Sequence, residues 1–251
     1  MSPKSISSLQ NPIFSEYKKL LSSKGIHRQN RFLIWGEKFV NEVLAENPET
    51  VEALILGPGH KLNLAAKSID RIELSNELFS ELDIFGTRFP ILVCKVPTIL
   101  KLQHHEPKGL ELLVAVSEPS NLGTIIRSCA SFEVSKVILL KESASPFHPR
   151  AVRASAGNVL KVNYEIGPSI LELSPELLKN TLALDMNGEN LAQFKWPKNS
   201  FLLVGEEGRG IPKEMKIKRI QIPSAANVES LNAATAISIA MYSYYVRRVL
   251  N

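Results

Sequence analysis

Two short runs near the carboxyl end of the chain, residues 201–204 and 219–222, constrain its fold more than any other feature. The first, Phe-Leu-Leu-Val, stops at Gly205, and the second, Arg-Ile-Gln-Ile, stops at Pro223. Short apolar runs that end on glycine or proline are typical of strands buried on both faces of a parallel sheet. Ligands of such sheets gather at the carboxyl ends of the strands. The sequence therefore predicts two strands whose following loops form the rim of a ligand pocket.

The loop after the first run has an unusual glycine spacing. Gly205, Gly208 and Gly210 form the pattern G-x-x-G-x-G. It differs from the dinucleotide pattern G-x-G-x-x-G and from the phosphate-binding loop G-x-x-x-x-G-K-[ST]. Glu206 and Glu207 lie between the glycines and would repel a phosphate group. Two interpretations stay open, a tight turn or a loop whose freed backbone amides approach a ligand closely.

A long amphipathic helix is predicted to close the chain. Apolar residues from Leu231 onward recur every three or four positions, as on one face of a helix of about 20 residues and ~30 Å. Ser230 can cap this helix, because a serine oxygen accepts hydrogen bonds from the free amides of the first turn. The small residues of the helix fit a packed core helix, or a helix that approaches a second one closely in a dimer.

From residue 110 onward the chain alternates strand and helix patterns. A strand pattern over residues 112–116 precedes Asn121, which is placed to cap a helix with an apolar stripe. At ~100° per residue Arg127 points away from that stripe, so it is either a solvated arginine or a cation directed into a site at the end of the strand. Further strands at 136–140 and 160–164 predict a mostly parallel sheet with helices on both faces.

Residues 8–96 also alternate strand and helix patterns, with the size of a separate small α/β domain. Five basic residues before and at its first strand are either a solvated helix end or contacts to RNA phosphates: Lys18, Lys19, Lys24, Arg28 and Arg31. Residues 97–109 are polar and contain proline and glycine, which predicts a linker. The pair His104 and His105 within it lacks partners at metal spacing, so no metal site is expected.

Composition and cysteine usage limit the class of protein. The 251 residues are 44% hydrophobic and 22% charged, as in globular proteins, and the net charge of +5 fits a polyanion partner without requiring one. Cys94 and Cys129 lie among apolar residues, which favours reduced core thiols. An apolar signal segment and a run of ~18 apolar residues are both absent from the sequence, so we expect a soluble cytoplasmic protein that does not enter a membrane.

Three motifs in one order resemble those of the SPOUT class of RNA methyltransferases and, within it, the TrmH (SpoU) family of RNA 2′-O-ribose methyltransferases. They are Asn-Leu-Gly-x-x-x-Arg over 121–127, Leu-Val-Gly-Glu-Glu-Gly-x-Gly over 203–210, and Ile-Pro, six residues, then Ser-Leu-Asn over 222–232. The resemblance covers residues 110–250. It implies a methyltransferase domain over 110–251 with a deep trefoil knot and an obligate homodimer, preceded by an RNA-binding domain.

The resemblance also implies the cofactor and the roles of the site residues. S-adenosylmethionine would be held by backbone groups of the two loops, without a metal. The implied cofactor-binding residues are Val204, Gly205, Glu206, Gly208, Gly210, Ile222, Pro223, Ser230 and Leu231. The implied catalytic residues are Arg127, Asn121, Glu207, Ser230 and Asn232, with Asn121 and Arg127 at the ribose. The role of Arg209 stays open.

Arg127 is the implied base for the ribose hydroxyl. That hydroxyl is a weak nucleophile and must lose its proton as it attacks the methyl group in line. Arginine is normally charged. To act as the base, Arg127 must therefore be kept by its surroundings in the neutral form that can accept a proton. Otherwise it holds the neighbouring phosphate and stabilises a developing alkoxide. The sequence leaves both roles open.

The expected substrate is structured RNA, with ribosomal RNA favoured over transfer RNA because of the N-terminal domain. One alternative is a non-catalytic RNA-binding or ribosome-assembly module of the same fold, and retention of all five catalytic motif residues argues against it. A second alternative is a SPOUT enzyme that methylates a base. Such relatives lack the Asn-Leu-Gly-x-x-x-Arg opening that begins at Asn121 here.

Overall fold

The computed structural model describes residues 4–60, 69–206, 208, 210–225 and 231–250. The strands are β1 (Lys4–Ile6), β2 (Arg31–Ile34), β3 (Val51–Leu56), β4 (Asp70–Leu74), β5 (Ile91–Lys95), β6 (Leu100–Lys101), β7 (Leu110–Val114), β8 (Lys136–Leu139), β9 (Tyr164–Ile166), β10 (Thr181–Asn190), β11 (Ser200–Val204) and β12 (Lys218–Gln221). The helices are α1 (Pro12–Lys19), α2 (Ser23–Gln29), α3 (Glu37–Glu46), α4 (Asn76–Leu82), α5 (Pro119–Ser131), α6 (Pro149–Ala154), α7 (Pro175–Lys179) and α8 (Ala233–Leu250). These elements group into two compact units. The first contains the described residues up to Thr98 together with 147–157, and the second contains those of 99–146 and 158–251.

The first unit is built on a five-stranded mixed sheet in the order β1-β4-β3-β5-β2. Strand β5 is antiparallel to both of its neighbours, whereas β1, β4 and β3 are parallel. Helix α1 begins where the sequence allows it, because Pro12 is its first residue and the Asn11 side chain accepts the Ile13 amide at 3.0 Å. The large side chains Phe14 and Trp35 fill the core beside the sheet. The alternation expected for residues 8–96 is present, and α2 is an addition that the sequence pattern did not reveal.

The second unit contains a seven-stranded sheet in the order β12-β10-β11-β7-β8-β9-β6, in which every pair is parallel. This confirms the predicted parallel sheet. Strands β8 and β9 lie on one side of β7, and the later strands β10, β11 and β12 lie on the other. The direction of winding therefore reverses between β7 and β11, which is the position where open α/β sheets form a crevice for ligands.

Both faces of the seven-stranded sheet are covered. Leu113 packs with Ile170 and Leu177 on one face, and its neighbours Leu112 and Val114 point to the other face and are fully buried as well. Helices α5 and α8 pack together, with the hydroxyl oxygens of Ser128 and Ser238 at 2.7 Å and the Cys129 thiol against the Met241 sulfur at 3.8 Å.

Three local predictions need correction. Asn121 does not cap α5, because Pro119 starts the helix two residues earlier and the Glu118 carboxylate accepts the Asn121 amide at 2.8 Å. The strand predicted at 160–164 begins only at Tyr164, after a short 3-10 turn at Asn158–Leu160. Within the predicted linker 97–109, Leu100–Lys101 forms β6 and pairs with β9, because the parallel sheet offers it an open edge.

Both cysteines behave as predicted. Cys94 and Cys129 are buried and form no disulfide, and burial raises the pKa of the Cys94 thiol to about 12. In the part of the chain that the structure describes, histidine, cysteine and acidic side chains do not converge in groups of three that could hold a metal ion. None of the helices within that part combines the length and apolar character that a membrane span requires.

Candidate functional site

The carboxyl ends of β7 and β11 form the floor of the candidate site. The two strands are neighbours in register, with Val114 opposite Val204. The Ala115 amide donates to the Val204 carbonyl oxygen at 3.0 Å, which keeps the strands paired to their last residues. Beyond this point β7 leads into α5, and β11 leads into the glycine-rich loop. The first and second sequence motifs therefore begin side by side at the crevice.

The glycine-rich loop folds back on itself as a tight turn. The Gly210 amide donates to the Glu206 carbonyl oxygen at 2.9 Å, and these two residues form an isolated antiparallel bridge. A Cβ atom on Gly205 would lie 2.5 Å from the carbonyl carbon of Gly210, so this position requires glycine. Gly208 has φ +89° and Gly210 has φ +68°, and a Cβ atom at either would meet nothing within 4 Å. The turn is thus closed internally and open on its outer side, and the two interpretations of this loop are compatible.

An arginine that the sequence analysis did not single out connects this loop to the sheet. The Arg219 guanidinium forms an ion pair with Asp185 and donates to the Pro212 carbonyl oxygen at 2.8 Å. Asp185 lies where the pairing of β10 with β12 changes register, between Leu184 and Glu189. Arg219 therefore holds the chain just after the glycine-rich loop against β10. The available signal was a charged residue inside a strand pattern, which needs a partner when the strand is packed.

Asn232 joins the third motif to the first. Its side-chain nitrogen donates to the Asn121 side-chain oxygen at 3.1 Å, across 111 positions of sequence. Its side-chain oxygen accepts the amides of Ala234 and Thr235 at 2.9 and 3.2 Å. Asn232 therefore caps α8, which begins at Ala233, in place of the predicted Ser230, which lies outside the described residues.

Arg127 lies on the outer side of α5. Its side chain is exposed, whereas Leu122 and Ile126 on the inner side are buried. With respect to the described residues, the Arg127 guanidinium makes no hydrogen bond and no ion pair, and the Arg127 carbonyl oxygen accepts the Ser131 hydroxyl at 3.0 Å. Six positions separate it from Asn121, which is about 9 Å along the helix axis. The structure thus brings Asn121 and Asn232 together and leaves Arg127 apart from them.

The residues predicted to bind the cofactor lie at strand ends. Val204 is the buried last residue of β11, and Ile222 and Pro223 directly follow β12. Pro223 and Leu231 are exposed and Ile222 is half-buried, so the second loop presents apolar surface to solvent. Glu207, Arg209 and Ser230 lie outside the described residues.

The side chains of the two loops indicate what kind of ligand they can hold. Their described residues, 205, 206, 208, 210, 211, 222–225 and 231, carry one carboxylate, one hydroxyl and otherwise apolar side chains, and the cation of the first loop, Arg209, lies outside the described residues. Backbone groups beside apolar surface suit a ligand with an aromatic ring and hydrogen-bonding edges.

Comparisons with known proteins agree on one group of enzymes. A sequence model of the SpoU rRNA Methylase family matches residues 111–242. The chain is 41% identical over 244 residues to the ribosomal RNA small subunit methyltransferase G 2 of Syntrophobacter fumaroxidans, covering 95% of this chain but only 48% of that protein, so it spans about half of that relative's length. It is 27% identical to the 23S rRNA (guanosine(2553)-2′-O)-methyltransferase RlmP of Bacillus subtilis, over 95% of this chain and 98% of that one.

A solved structure extends the comparison to the fold. The SpoU methyltransferase AviRb of Streptomyces viridochromogenes, crystallised with the cofactor AdoMet, aligns with a TM-score of 0.82 over 96% of this chain and 99% of that one. The two sequences are 22% identical, so this likeness concerns the fold.

Proposed function

Because the chain belongs to the SpoU rRNA Methylase family, whose sequence pattern spans more than half of it, we propose that it transfers a methyl group from S-adenosylmethionine to a ribose 2′-hydroxyl of ribosomal RNA. The observation that carries this proposal is the 3.1 Å hydrogen bond between Asn232 and Asn121. It joins the first and third motifs, which are far apart in sequence, beside the crevice where the second motif, the glycine-rich loop, also begins. An assembly of all three at one strand end is expected of a reaction site.

S-adenosylmethionine fits what the two loops provide. Its adenine ring can lie against the apolar side chains that follow β12, and its polar edges can bond to backbone groups around Gly205 and Gly210. The open outer side of the turn at Gly208 leaves room for such an approach. When bound, the cofactor supplies a methyl group on a positively charged sulfur. The fold relative AviRb was solved with this cofactor, which supports the assignment.

The side chains of α5 would act on the ribose. The oxygen of the 2′-hydroxyl forms a bond to the methyl carbon while the bond from that carbon to sulfur breaks, and the hydroxyl proton leaves to solvent or to a nearby base. The exposure of Arg127 favours the second of its two possible roles, in which a charged guanidinium holds the adjacent phosphate and stabilises the developing alkoxide. Asn121, fixed by Asn232, would orient the sugar.

Ribosomal RNA is the proposed substrate class. Both relatives compared above carry names that refer to ribosomal RNA, one to the small subunit and the other to 23S RNA. We therefore keep ribosomal RNA ahead of transfer RNA. The proposed division of labour is a small α/β RNA-binding domain over 8–96, a linker over 97–109 and a methyltransferase domain over 110–251, of which residues 147–157 belong to the first compact unit. The cytoplasm remains the proposed location.

We also propose a homodimer formed through α8 and the end of α5. Ile239, Tyr242 and Val249 of α8 are exposed to 37, 56 and 60%. The Phe132 ring, at the end of α5, lies 5.8 Å from the Tyr242 ring and 5.9 Å from the Tyr245 ring. Contiguous exposed aromatic and aliphatic side chains of this kind mark protein interfaces. The trefoil knot implied by the family stays a prediction.

The decisive test concerns the atom that is methylated. Unmodified transcripts of bacterial 16S and 23S ribosomal RNA would be incubated with the protein and S-adenosylmethionine carrying a radiolabelled methyl group, and then digested in alkali. A 2′-O-methyl group blocks the hydroxyl that attacks the adjacent phosphate, so the label should appear in alkali-stable dinucleotides. Label recovered only in mononucleotides would indicate base methylation and refute the proposal. A transfer RNA transcript treated in the same way serves as the comparison substrate.

A further inference from the structure

We propose that the first unit binds the substrate RNA through a surface formed by Phe85, Arg88, Arg150 and Arg153, which we call the arginine surface. This inference rests on the proposed function and specifies where the RNA is held away from the reacting ribose. The partner is an RNA segment with an unpaired base, whose phosphates meet the arginines and whose base stacks against the aromatic and guanidinium planes.

An aromatic stack holds Arg153 and Phe85 in place. The Arg153 guanidinium carbon lies over the Phe85 ring, 5.7 Å from its centre. The Phe85 ring in turn packs edge-on against Trp35 with 5.2 Å between centres. Trp35 is buried, and its ring nitrogen donates to the Leu82 carbonyl oxygen at 2.9 Å. A buried, hydrogen-bonded tryptophan thus supports a partly exposed phenylalanine and an exposed arginine.

The loop over residues 83–88 is equally well fixed. The Asp83 carboxylate, in a residue only 8% exposed, accepts the Thr87 amide at 3.0 Å, the Thr87 hydroxyl at 2.9 Å and the Arg88 amide at 2.7 Å. Arg88 has φ +51°, which is unusual outside glycine and is held here by those bonds. Asp83 is therefore committed to the loop backbone, and Arg88 presents an exposed side chain from a preorganised turn.

The charges of this surface remain available for a partner. Arg150 and Arg153 are three positions apart on α6, so they lie on the same side of it, and both are exposed. Taken over the residues that the structure describes, the side chains of Arg88, Arg150 and Arg153 form no ion pair. An arginine presents a planar fork of donors that matches a phosphate group and also stacks on rings. Arginine planes and aromatic rings are the groups on which proteins stack splayed RNA bases.

The basic cluster predicted from the sequence is a weaker candidate. Lys18 pairs with Glu81 at 2.5 Å, and Arg31 pairs with Glu52 at 2.5 Å and with Glu16 at 3.7 Å. These two of its five members are thus engaged within the protein. The other three, Lys19, Lys24 and Arg28, are exposed and have no aromatic contact among the described residues. They provide a control set of equal charge.

The test compares two triple variants of the full chain. In one, Arg88, Arg150 and Arg153 are changed to Gln, and in the other, Lys19, Lys24 and Arg28 are changed to Gln. Binding to unmodified 16S and 23S ribosomal RNA transcripts is measured by filter binding over a salt series. We expect the arginine-surface variant to bind at least about tenfold more weakly at 150 mM salt, with the salt slope reduced by roughly 2 to 3, because each lost phosphate contact lowers it by about 0.7 to 0.9. The control variant should stay within about threefold of the wild type.

Further measurements keep the outcome interpretable. Affinity for S-adenosylmethionine, measured by calorimetry, should be unchanged in both variants. Arg153→Lys keeps the charge but loses the planar stack, so it should weaken binding while leaving the salt slope unchanged. If the triple variant is unstable in a thermal melt, the single variant Arg88→Gln, which alters only an exposed side chain, replaces it and should reduce the salt slope by about 1.

Three results would overturn the inference: full RNA affinity in the arginine-surface variant, equal losses in both triple variants, or an unchanged salt slope. If the wild-type protein binds and methylates RNA while the arginine-surface variant does so equally well, only the inference fails. If the wild-type protein methylates none of the transcripts, the proposed function itself fails, and the two failures are thereby distinguished.

Discussion

The two ends of the seven-stranded sheet carry different kinds of residues although they belong to the same strands. At the carboxyl ends, β11 and β12 run into glycine and proline loops, and the apolar side chains of Pro223 and Leu231 are exposed. At the amino end of β7, the buried Glu111 is fully engaged: its carboxylate contacts the His105 ring nitrogen at 2.7 Å and accepts the Lys108 amide at 3.0 Å. One end is arranged to receive a ligand, and the other is closed by its own chain.

This difference indicates that residues at one end of the sheet determine activity, whereas residues at the other end determine stability. A residue whose polar groups point outward contributes little to folding and is free to act on a substrate, as Arg127 is. A buried carboxylate such as Glu111 is costly unless it is paired, so its partners contribute to folding. Changes at the carboxyl end should therefore alter methyl transfer at nearly constant stability, and changes at the amino end should do the reverse.

Arg127→Ala should produce the largest effect on activity. We expect the rate of methyl transfer to fall by roughly 10²- to 10³-fold, since this is the usual result of removing one group that stabilises developing negative charge. Affinity for S-adenosylmethionine, measured by calorimetry, should be nearly unchanged because the cofactor is proposed to be held by the loops. The thermal midpoint should also be unchanged, as Arg127 is exposed. A loss of cofactor affinity of tenfold or more would contradict this division of roles.

Gly205→Ala should weaken cofactor binding. Its new Cβ atom would lie 2.5 Å from the Gly210 backbone, so the turn must open. We expect a loss of about 1–3 kcal/mol, the usual cost of overpacking, which is roughly five- to 150-fold in affinity for S-adenosylmethionine. Gly59→Ala, in the first unit, is the control, because its Cβ atom meets nothing within 4 Å and only the positive φ is strained. Equal losses in both variants would show that the close approach at Gly205 is unimportant.

Asn232→Asp separates the two tasks of one side chain. An aspartate still caps α8 through its oxygens, so the free energy of unfolding should stay within about 0.5 kcal/mol of the wild type. It can no longer donate to Asn121, and the loss of one hydrogen bond of about 0.5–1.5 kcal/mol should slow methyl transfer by roughly three- to tenfold. Asn232→Ala should in addition cost about 1 kcal/mol of stability. An Asp variant with full activity would remove the observation on which the site assignment rests.

The sequence predicts those parts of the fold that depend on local pattern. The strand pattern over residues 201–204 and the helix that contains Leu122 and Ile126 follow from hydrophobic spacing, and the parallel sheet follows from the alternation of such patterns. Cap positions are harder to predict. For α8, Ser230 and Asn232 are both good capping types. For α5, the candidates are Asn121 and Glu118, which directly precedes Pro119. In each case, the choice depends on where the first helical residue falls.

Contacts between distant residues lay beyond what the pattern could predict. The Arg219 to Asp185 pair spans 34 positions and depends on the register change in β10, which has no local sequence signature. The bond from Asn232 to Asn121 became an expectation only through the family motifs, which place both residues at one site. The arginine surface combines residues from 83–88 and 149–154, and hydrophobic spacing carries no information about such a pairing.

His105→Ala should have the smallest effect on activity and a measurable effect on stability. Burial alone would lower the pKa of His105, but its hydrogen bonds with the Gln103 carbonyl and the Glu111 carboxylate outweigh this, and its pKa is raised above 6.5. The charged imidazolium thus stabilises the folded state in full below about pH 6.5, and this contribution is lost as the pH rises through the raised pKa. Its ring also packs edge-on against Phe201, with 5.6 Å between centres.

Removing His105 should therefore lower the free energy of unfolding by about 1–2 kcal/mol at pH 6. The difference from the wild type should shrink between pH 6 and pH 9, as measured by urea denaturation, while methyl transfer stays unchanged at a temperature well below the melting midpoint. His104→Ala, a change at the exposed neighbouring residue, is the matched control and should alter neither quantity. A stability difference that grows with pH would show that the charged pair with Glu111 is not the stabilising species. A loss of activity at full stability would show that the two ends of the sheet are not independent.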